Sequence, residues 1–127
     1  MAIRIFHKDS PDLLMPMIAK DARLVVWLGS GSRTANMNFV DMQPGERNVP
    51  HAHADSEDTI FILHGEGTIE DLTNGEEHDI RAGQVVHVPA GVVHAVRADK
   101  DSNIVSVGGP SPADEAMLKN MGVDLGT

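Results

Sequence analysis

His51 and His53 stand two residues apart, the adjacent carboxylates Glu57 and Asp58 follow, and a third imidazole, His94, comes just after Pro89-Ala90-Gly91. In an extended segment residues i and i+2 point to the same side, so His51 and His53 aim at one point if that stretch is extended. Pro50 favours extended backbone at Val49, directly before them. Neutral imidazole is the commonest protein ligand for transition metals. An acidic oxygen nearby lowers the cost of placing a dication in a partly dry site. Metal binding is therefore the chemistry these residue types could do. Each piece has a commoner alternative: a His-x-His is usually a surface or hydrogen-bonded pair, adjacent acids a solvated loop, and a lone histidine a core or surface residue. Their joint occurrence is what counts, and it depends on the elements that must bring them together.

Glycine, proline and Asn/Asp punctuate the chain at short intervals and separate runs rich in Val, Ile and Phe. Residues 22–29, 35–42, 59–64, 68–72, 77–80, 84–89, 92–98 and 103–109 read as strands. Strands this short, spaced by about ten residues with turn signals between them, predict an all-β sandwich or barrel. Antiparallel barrels bring distant strand ends together, which the three histidines require. Asn74-Gly75 predicts a type I′ hairpin turn, and Gly65 with Gly67 a second tight turn. The C-terminal end differs. Ser111 reads as a helix N-cap, Pro112 as the first helical position and Asp114 as the acid three residues after the cap. Met117, Leu118 and Met121 share one helical face and Gly122 is a stop, so a short helix over about 112–121 is expected against the barrel. Residues 12–20 are apolar but broken by Pro16 and read as an extended arm or helical turn. Left unburied by its own chain, such a segment packs on a second subunit.

Bulk properties narrow the function. A chain of 127 residues is one domain, 1–127. It is long enough to bury a core without staples. It has no cysteine, so disulfides, a thiolate nucleophile and cysteine–zinc sites are excluded. The formal charge of −9 argues against nucleic acid and anionic membrane surfaces as partners. No apolar run approaches the roughly 18 residues needed to span a bilayer. The start of the sequence lacks the apolar core of a signal peptide, so the expected localisation is cytoplasmic. Phe6, Trp27, Phe39 and Phe61 are the only aromatics, too few for a base-stacking platform.

The spacing resembles that of the cupin superfamily, whose first motif runs Gly, five residues, His-x-His, three or four residues, Glu, six residues, Gly. Here Gly45 is followed by five residues and His51-Ala52-His53; Asp58 stands after four more, and Gly65 after a further six. The second motif, Gly, five residues, Pro-x-Gly, two residues, His, three residues, Asn, is matched by Gly83, Pro89-Ala90-Gly91 and His94. The two motifs span 45–98. The sequence departs in two places: the expected Glu falls at Asp58 with Glu57 one residue earlier, and Ala98 replaces the Asn, which is not a metal ligand in the family. A strand cannot slip by one residue without turning every side chain over, whereas the loop before it can absorb an extra residue. Register thus favours Asp58, with Glu57 as the alternative.

The resemblance implies a double-stranded β-helix, or jelly-roll, barrel. It also implies one divalent transition metal held by His51, His53, Asp58 (or Glu57) and His94. Three imidazoles and a carboxylate suit Fe(II), Mn(II), Zn(II), Ni(II) or Co(II) and leave positions open for substrate, water or dioxygen. If Asp58 points inward, alternation puts Ile60, Ile62 and His64 on the same face, provided no bulge intervenes. His64 is then a candidate acid or base. Met37, Phe39, Trp27 and Val96 are candidate pocket walls. The expected function is a metal-dependent enzyme acting on a small organic molecule, as dioxygenase or as isomerase, cyclase or lyase. The alternative is a cupin that binds or senses a small molecule without turnover. Cupins commonly pair sheet to sheet, so a homodimer is expected.

Overall fold

The computed structural model describes residues 2–11 and 14–123. Among the described residues eight strands form: β1 (Asp21–Val26), β2 (Met37–Met42), β3 (Glu57–His64), β4 (Glu66–Asp71), β5 (Glu76–Arg81), β6 (Val85–Val88), β7 (His94–Ala98) and β8 (Ile104–Ser111), with a 3-10 turn at Leu28–Ser30 and an α-helix, α1 (Glu115–Asn120), after β8. They make an antiparallel five-stranded sheet, ordered β1-β2-β8-β3-β6, and a three-stranded sheet, ordered β5-β4-β7. Each strand coincides with one read from the sequence, within a few residues at either end. The fold is the all-β double sheet that the strand spacing predicts.

Alternation explains how the two sheets close on each other. Leu24, Val40, Met42, Ile62 and Ile104 of the larger sheet are buried in one apolar cluster with Ile69, Ile80, Val96 and Ala98 of the smaller one. The segment before β3 extends the smaller sheet, through isolated bridges from Arg47 to Arg97 and from His51 to His94. Two glycines mark close approaches. Gly65 turns the chain between β3 and β4 at φ +90°, and a Cβ there would stand 1.7 Å from the Asn103 carbonyl oxygen. Gly108 in β8 lies so near β3 that a Cβ would meet the Thr59 carbonyl oxygen at 1.9 Å.

Several local expectations are corrected. Gly75 has φ +69°, but no residue other than glycine has positive φ among the described residues, so Asn74-Gly75 is not a type I′ pair. Instead residues 72–75 form a four-residue turn, and Asp71 accepts from both the backbone and the side-chain amide of Asn74. Gly67 lies inside β4 rather than in a turn, where a Cβ would meet the Arg97 carbonyl oxygen at 2.2 Å. The helix begins at Glu115, not near Pro112, because Ser111 still pairs with Glu57 at the end of β8 and Asp114 is the N-cap. In the 12–20 segment, Asp12 and Leu13 lie outside the described residues. Leu14 bridges to Arg23, the Met15 N–H donates to the Ala22 carbonyl, and Met15 and Ala19 are buried against the chain's own core. No described helix is long and apolar enough to cross a membrane.

Candidate metal centre

Three stretches of chain and both sheets converge at one end of the barrel. His51 and His94 form a reciprocal backbone pair: His51 N–H donates to the His94 carbonyl at 3.1 Å, and His94 N–H to the His51 carbonyl at 2.9 Å. Directly opposed residues of an antiparallel pair carry their side chains to the same face, and the two ring centroids stand 4.4 Å apart. His53 continues on that side, its ring 4.9 Å from that of His51. Its carbonyl is fixed by the Gly91 N–H at 2.8 Å, so the turn before His94 is tied to the His51–His53 segment. Asp58 comes from the larger sheet. It lies in β3 between Val88 of β6 and Pro110 of β8, which holds it buried and pointing inward.

One donor atom from each of His51, His53, Asp58 and His94 lies within 4.8 Å of the others. Donors about 2.1 Å from one ion stand no more than about 4.2 Å apart, so small side-chain adjustments suffice to bring all four onto one ion. The hydrogen bonds select the ligating atoms. His51 Nδ1 meets the Val49 carbonyl oxygen at 2.7 Å and His94 Nδ1 the Val92 carbonyl oxygen at 2.9 Å. His53 Nδ1 meets a carboxylate oxygen of Asp114 at 2.8 Å. A carbonyl or carboxylate oxygen can only accept, so the neutral ring carries its proton on Nδ1 and leaves the Nε2 lone pair free. Among the described residues, His53 Nε2, His94 Nε2 and Asp58 Oδ1 are buried with no hydrogen-bond partner. Asp58 Oδ2 is 3.5 Å from His53 Nε2 and 3.4 Å from His94 Nε2, ion-pair distances rather than hydrogen bonds. Orphaned buried atoms of this kind carry a desolvation cost that a shared cation removes. The residues fit a metal.

The titration of the site follows from these neighbours. Burial disfavours charge on His53, but Asp58 and Asp114 on either side outweigh it and raise its pKa above the usual value. Burial also works to raise Asp58, but His53 and His94 together outweigh it and hold the carboxyl below its ordinary range. For His51, burial, with the neighbouring imidazoles, outweighs the Val49 carbonyl and Asp58 and lowers its pKa.

A cavity of about 80 Å³ opens beside these four residues. Ile60 and Val96 line it as expected, and Ile62 is fully buried in the core instead. Met37 and Phe39 are on the opposite face of β2, because Asn38, Val40 and Met42 point inward. Trp27 packs at the margin of the core. His64 is exposed: a bulge between Ile62 and His64, opposite β8, breaks the alternation that would have carried it inward, so it is no acid or base for this cavity. Glu57 is exposed and its carboxylate pairs with His87 at 2.7 Å. Asp58 alone of the two acids joins the histidines.

The sequence reading missed other parts of the wall. Met15 and Ile18 close it from the N-terminal arm, Asn38, Met42 and Ser106 line it from the larger sheet, and Asp114 and Met117 from the C-terminal end. One signal for β2 was present: Asp41 shares the parity of Met37 and Phe39, and a charge on that face marks it as the outer one.

The chain matches the family described as "Cupin domain" over residues 38–107. It is 30% identical over 80 residues to oxalate oxidase GF-3.8 of Triticum aestivum, an alignment covering 58% of this chain and 36% of that protein. The chain thus spans about a third of the length of the curated relatives it matches. Its fold superposes on the polyketide cyclase RemF from Streptomyces resistomycificus with a TM-score of 0.70 and 18% identity, covering 89% of this chain and 83% of that one. A Klebsiella pneumoniae protein with a double-stranded β-helix domain superposes with a TM-score of 0.69 and 20% identity, covering 91% and 94%.

Proposed function

The chain belongs to the cupin-domain family, and from that premise we propose that it is a metal-dependent enzyme transforming a small, largely apolar oxygenated molecule. One observation carries the reading: three imidazoles locked with Nε2 free, and one buried carboxylate, meet at the side of an apolar cavity. His51, His53, His94 and Asp58 would hold the ion, which when bound supplies Lewis-acid polarisation of a carbonyl or enol oxygen. The chain's own groups do the rest. Met42, Ile60, Val96 and Ile104 exclude water and hold the body of the bound molecule. Asn38 and Ser106, buried in the same wall, offer neutral hydrogen-bonding groups to its oxygens.

No Lys or Arg lines this cavity among the described residues, which supports a neutral substrate over a phosphorylated one. Oxalate, named for the wheat relative, is a small dianion and fits the apolar lining less well than a larger enolic or phenolic molecule. Met15, Met42, Met117 and Met121 also face the cavity. Thioethers oxidise readily, so this lining favours isomerisation, cyclisation or lyase chemistry over dioxygen chemistry.

The test is to purify the protein without a histidine tag, quantify bound metal by mass spectrometry, and incubate it with enolic, phenolic and dicarbonyl compounds while following products and oxygen uptake. The expected result is about one transition-metal ion per chain and product formation without oxygen uptake. Substrate-dependent uptake would transfer the assignment to a dioxygenase. Tight binding without turnover would assign a binding or sensing role instead. The homodimer belongs to the same proposal. It is supported by a cross-strand row of apolar residues on the larger sheet, Phe39, Val107, Phe61 and Val85, of which Phe61 and Val85 are exposed.

A further inference from the structure

We propose that Asp114 is a positioning residue of the metal centre, whose single carboxylate both aims the ligand His53 and docks the C-terminal helix over the cavity. The inference rests on the metal-centre reading above and adds to it a residue outside both sequence motifs.

The three imidazoles are held in different ways. His51 and His94 each give Nδ1 to a backbone carbonyl two residues away, at Val49 and Val92. Any residue at those positions would supply that oxygen. His53 alone depends on a side chain, one that lies 61 positions further along the chain. A carboxylate on the far nitrogen fixes the ring's tautomer and orientation and makes Nε2 more basic, a stronger hold on a metal than a neutral carbonyl provides.

Both oxygens of Asp114 are engaged. Oδ2 accepts from His53 Nδ1–H at 2.8 Å, and Oδ1 accepts from the Met117 backbone N–H at 3.0 Å, the capping bond that starts α1. Two donors converge on one side chain, so the residue must accept at both ends. A carboxylate does so; an asparagine has one accepting oxygen and one donating amide and can satisfy only one of them.

The helix needs this anchor. It spans only Glu115–Asn120, far too short to persist by itself. Leu118 is buried, and Met117 and Met121 line the cavity. The bond to His53 therefore ties the wall formed by these side chains to the ligand cluster. Coupling of this kind is reciprocal. A cation held at Nε2 keeps the proton on Nδ1 and strengthens the Asp114 bond, so loading the site should steady the helix. Loss of the helix anchor should in turn loosen His53.

The experiment uses the full chain with Zn(II) or Co(II) as the probe. Asp114→Asn keeps a good capping oxygen but removes the acceptor from His53. Titration should show metal affinity lowered by about 10- to 100-fold in this variant, in an apo protein whose circular dichroism shows the wild-type fold. Ring-nitrogen NMR at pH 9 should report the Nδ1–H tautomer of His53 in the wild-type apo protein and a mixed or switched tautomer in Asp114→Asn. A purely structural role would leave that signature in place. Amide exchange in the wild type, which needs no variant, should slow at Lys119 and Asn120 when metal is added. Wild-type metal affinity and an unchanged His53 tautomer in Asp114→Asn would overturn the proposal while leaving the metal centre intact, as would helix exchange indifferent to metal. Failure of the wild type to bind either ion would overturn both.

Discussion

Asp58 and Glu57 are neighbours in sequence with opposite fates, and the difference predicts what each substitution does. Asp58 is buried against His53 and His94, whereas Glu57 is exposed and bonded to His87. Asp58→Ala should weaken metal binding by more than the roughly 100-fold expected of an outer-shell change, and His51→Ala should likewise lose most of the bound metal. Glu57→Ala should retain near-wild-type content. Metal analysis of the three purified variants checks this, and a larger loss in Glu57→Ala than in Asp58→Ala would overturn the ligand assignment. The choice between the two acids was legible in the sequence because six residues separate Asp58 from Gly65, as in the motif it resembles, and the loop before the strand can absorb an extra residue where the strand cannot. His64 was placed by alternation from Asp58 and is outside the cavity, because a bulge adds a residue that alternation cannot foresee. Asp114 was legible only as an acid near a helix start. Its pairing with His53 joins positions that no local pattern connects.

At the scale of elements, β-branched runs and glycine or proline punctuation marked all eight strands, since period-2 burial and turn chemistry are local properties. Which face of a strand is inward is less local. In β2 the larger Met37 and Phe39 suggested one parity, but Asn38, Val40 and Met42 are the residues that meet the opposite sheet. The helix start was misplaced for a related reason: the Ser-Pro signal at 111–112 is taken up by the end of β8. The β3–β4 turn offers the sharpest test at this scale. Gly65 combines φ +90° with a Cβ position 1.7 Å from the Asn103 carbonyl oxygen. Gly65→Ala must both strain its own backbone, by about 1–3 kcal/mol, and displace the segment at Asn103 that leads into β8. Urea unfolding should show a lowered midpoint and an unfolding free energy reduced by at least that amount. An unchanged midpoint would mean that the turn is not held as described. Gly75→Ala, with nothing within 4 Å of the added carbon but φ +69°, should cost less.

For the whole molecule, the proposed pairing of two copies through the larger sheet has a direct test. Light scattering should report a two-copy species that Phe61→Glu converts to single copies with unchanged metal content; a wild-type chain that is single at micromolar concentration overturns the pairing. Metal and proton then act on the stability of the entire barrel, because a group that binds only the folded state stabilises it. The raised His53 pKa sets the sign. In the metal-free protein, His53 with its proton, flanked by Asp58 and Asp114, contributes stability that is fully present below the unfolded value of about 6.5 and is lost as pH rises through the raised folded value. The lowered Asp58 pKa contributes above about 3.9 and fails only as pH falls through its folded value, so it does not alter this window. His51, lowered by burial, acts with the opposite sign: it costs stability as pH falls below the unfolded value of about 6.5, and that cost disappears as pH rises. A metal needs the neutral Nε2 of His53 and must displace that proton, so its binding strengthens where the proton's contribution fades. One displaced proton amounts to at most about 1.4 kcal/mol per pH unit, or roughly 4–6 °C in Tm for a domain of this size. The Tm gain on adding Zn(II) should therefore be small at pH 5.5 and grow through pH 7 to pH 8, and it should grow less steeply in Asp114→Asn, where His53 has lost one of the two acids that raise its pKa. A gain that is flat, or that shrinks as pH rises, would show that His53 does not take up the metal through the nitrogen that the structure leaves free.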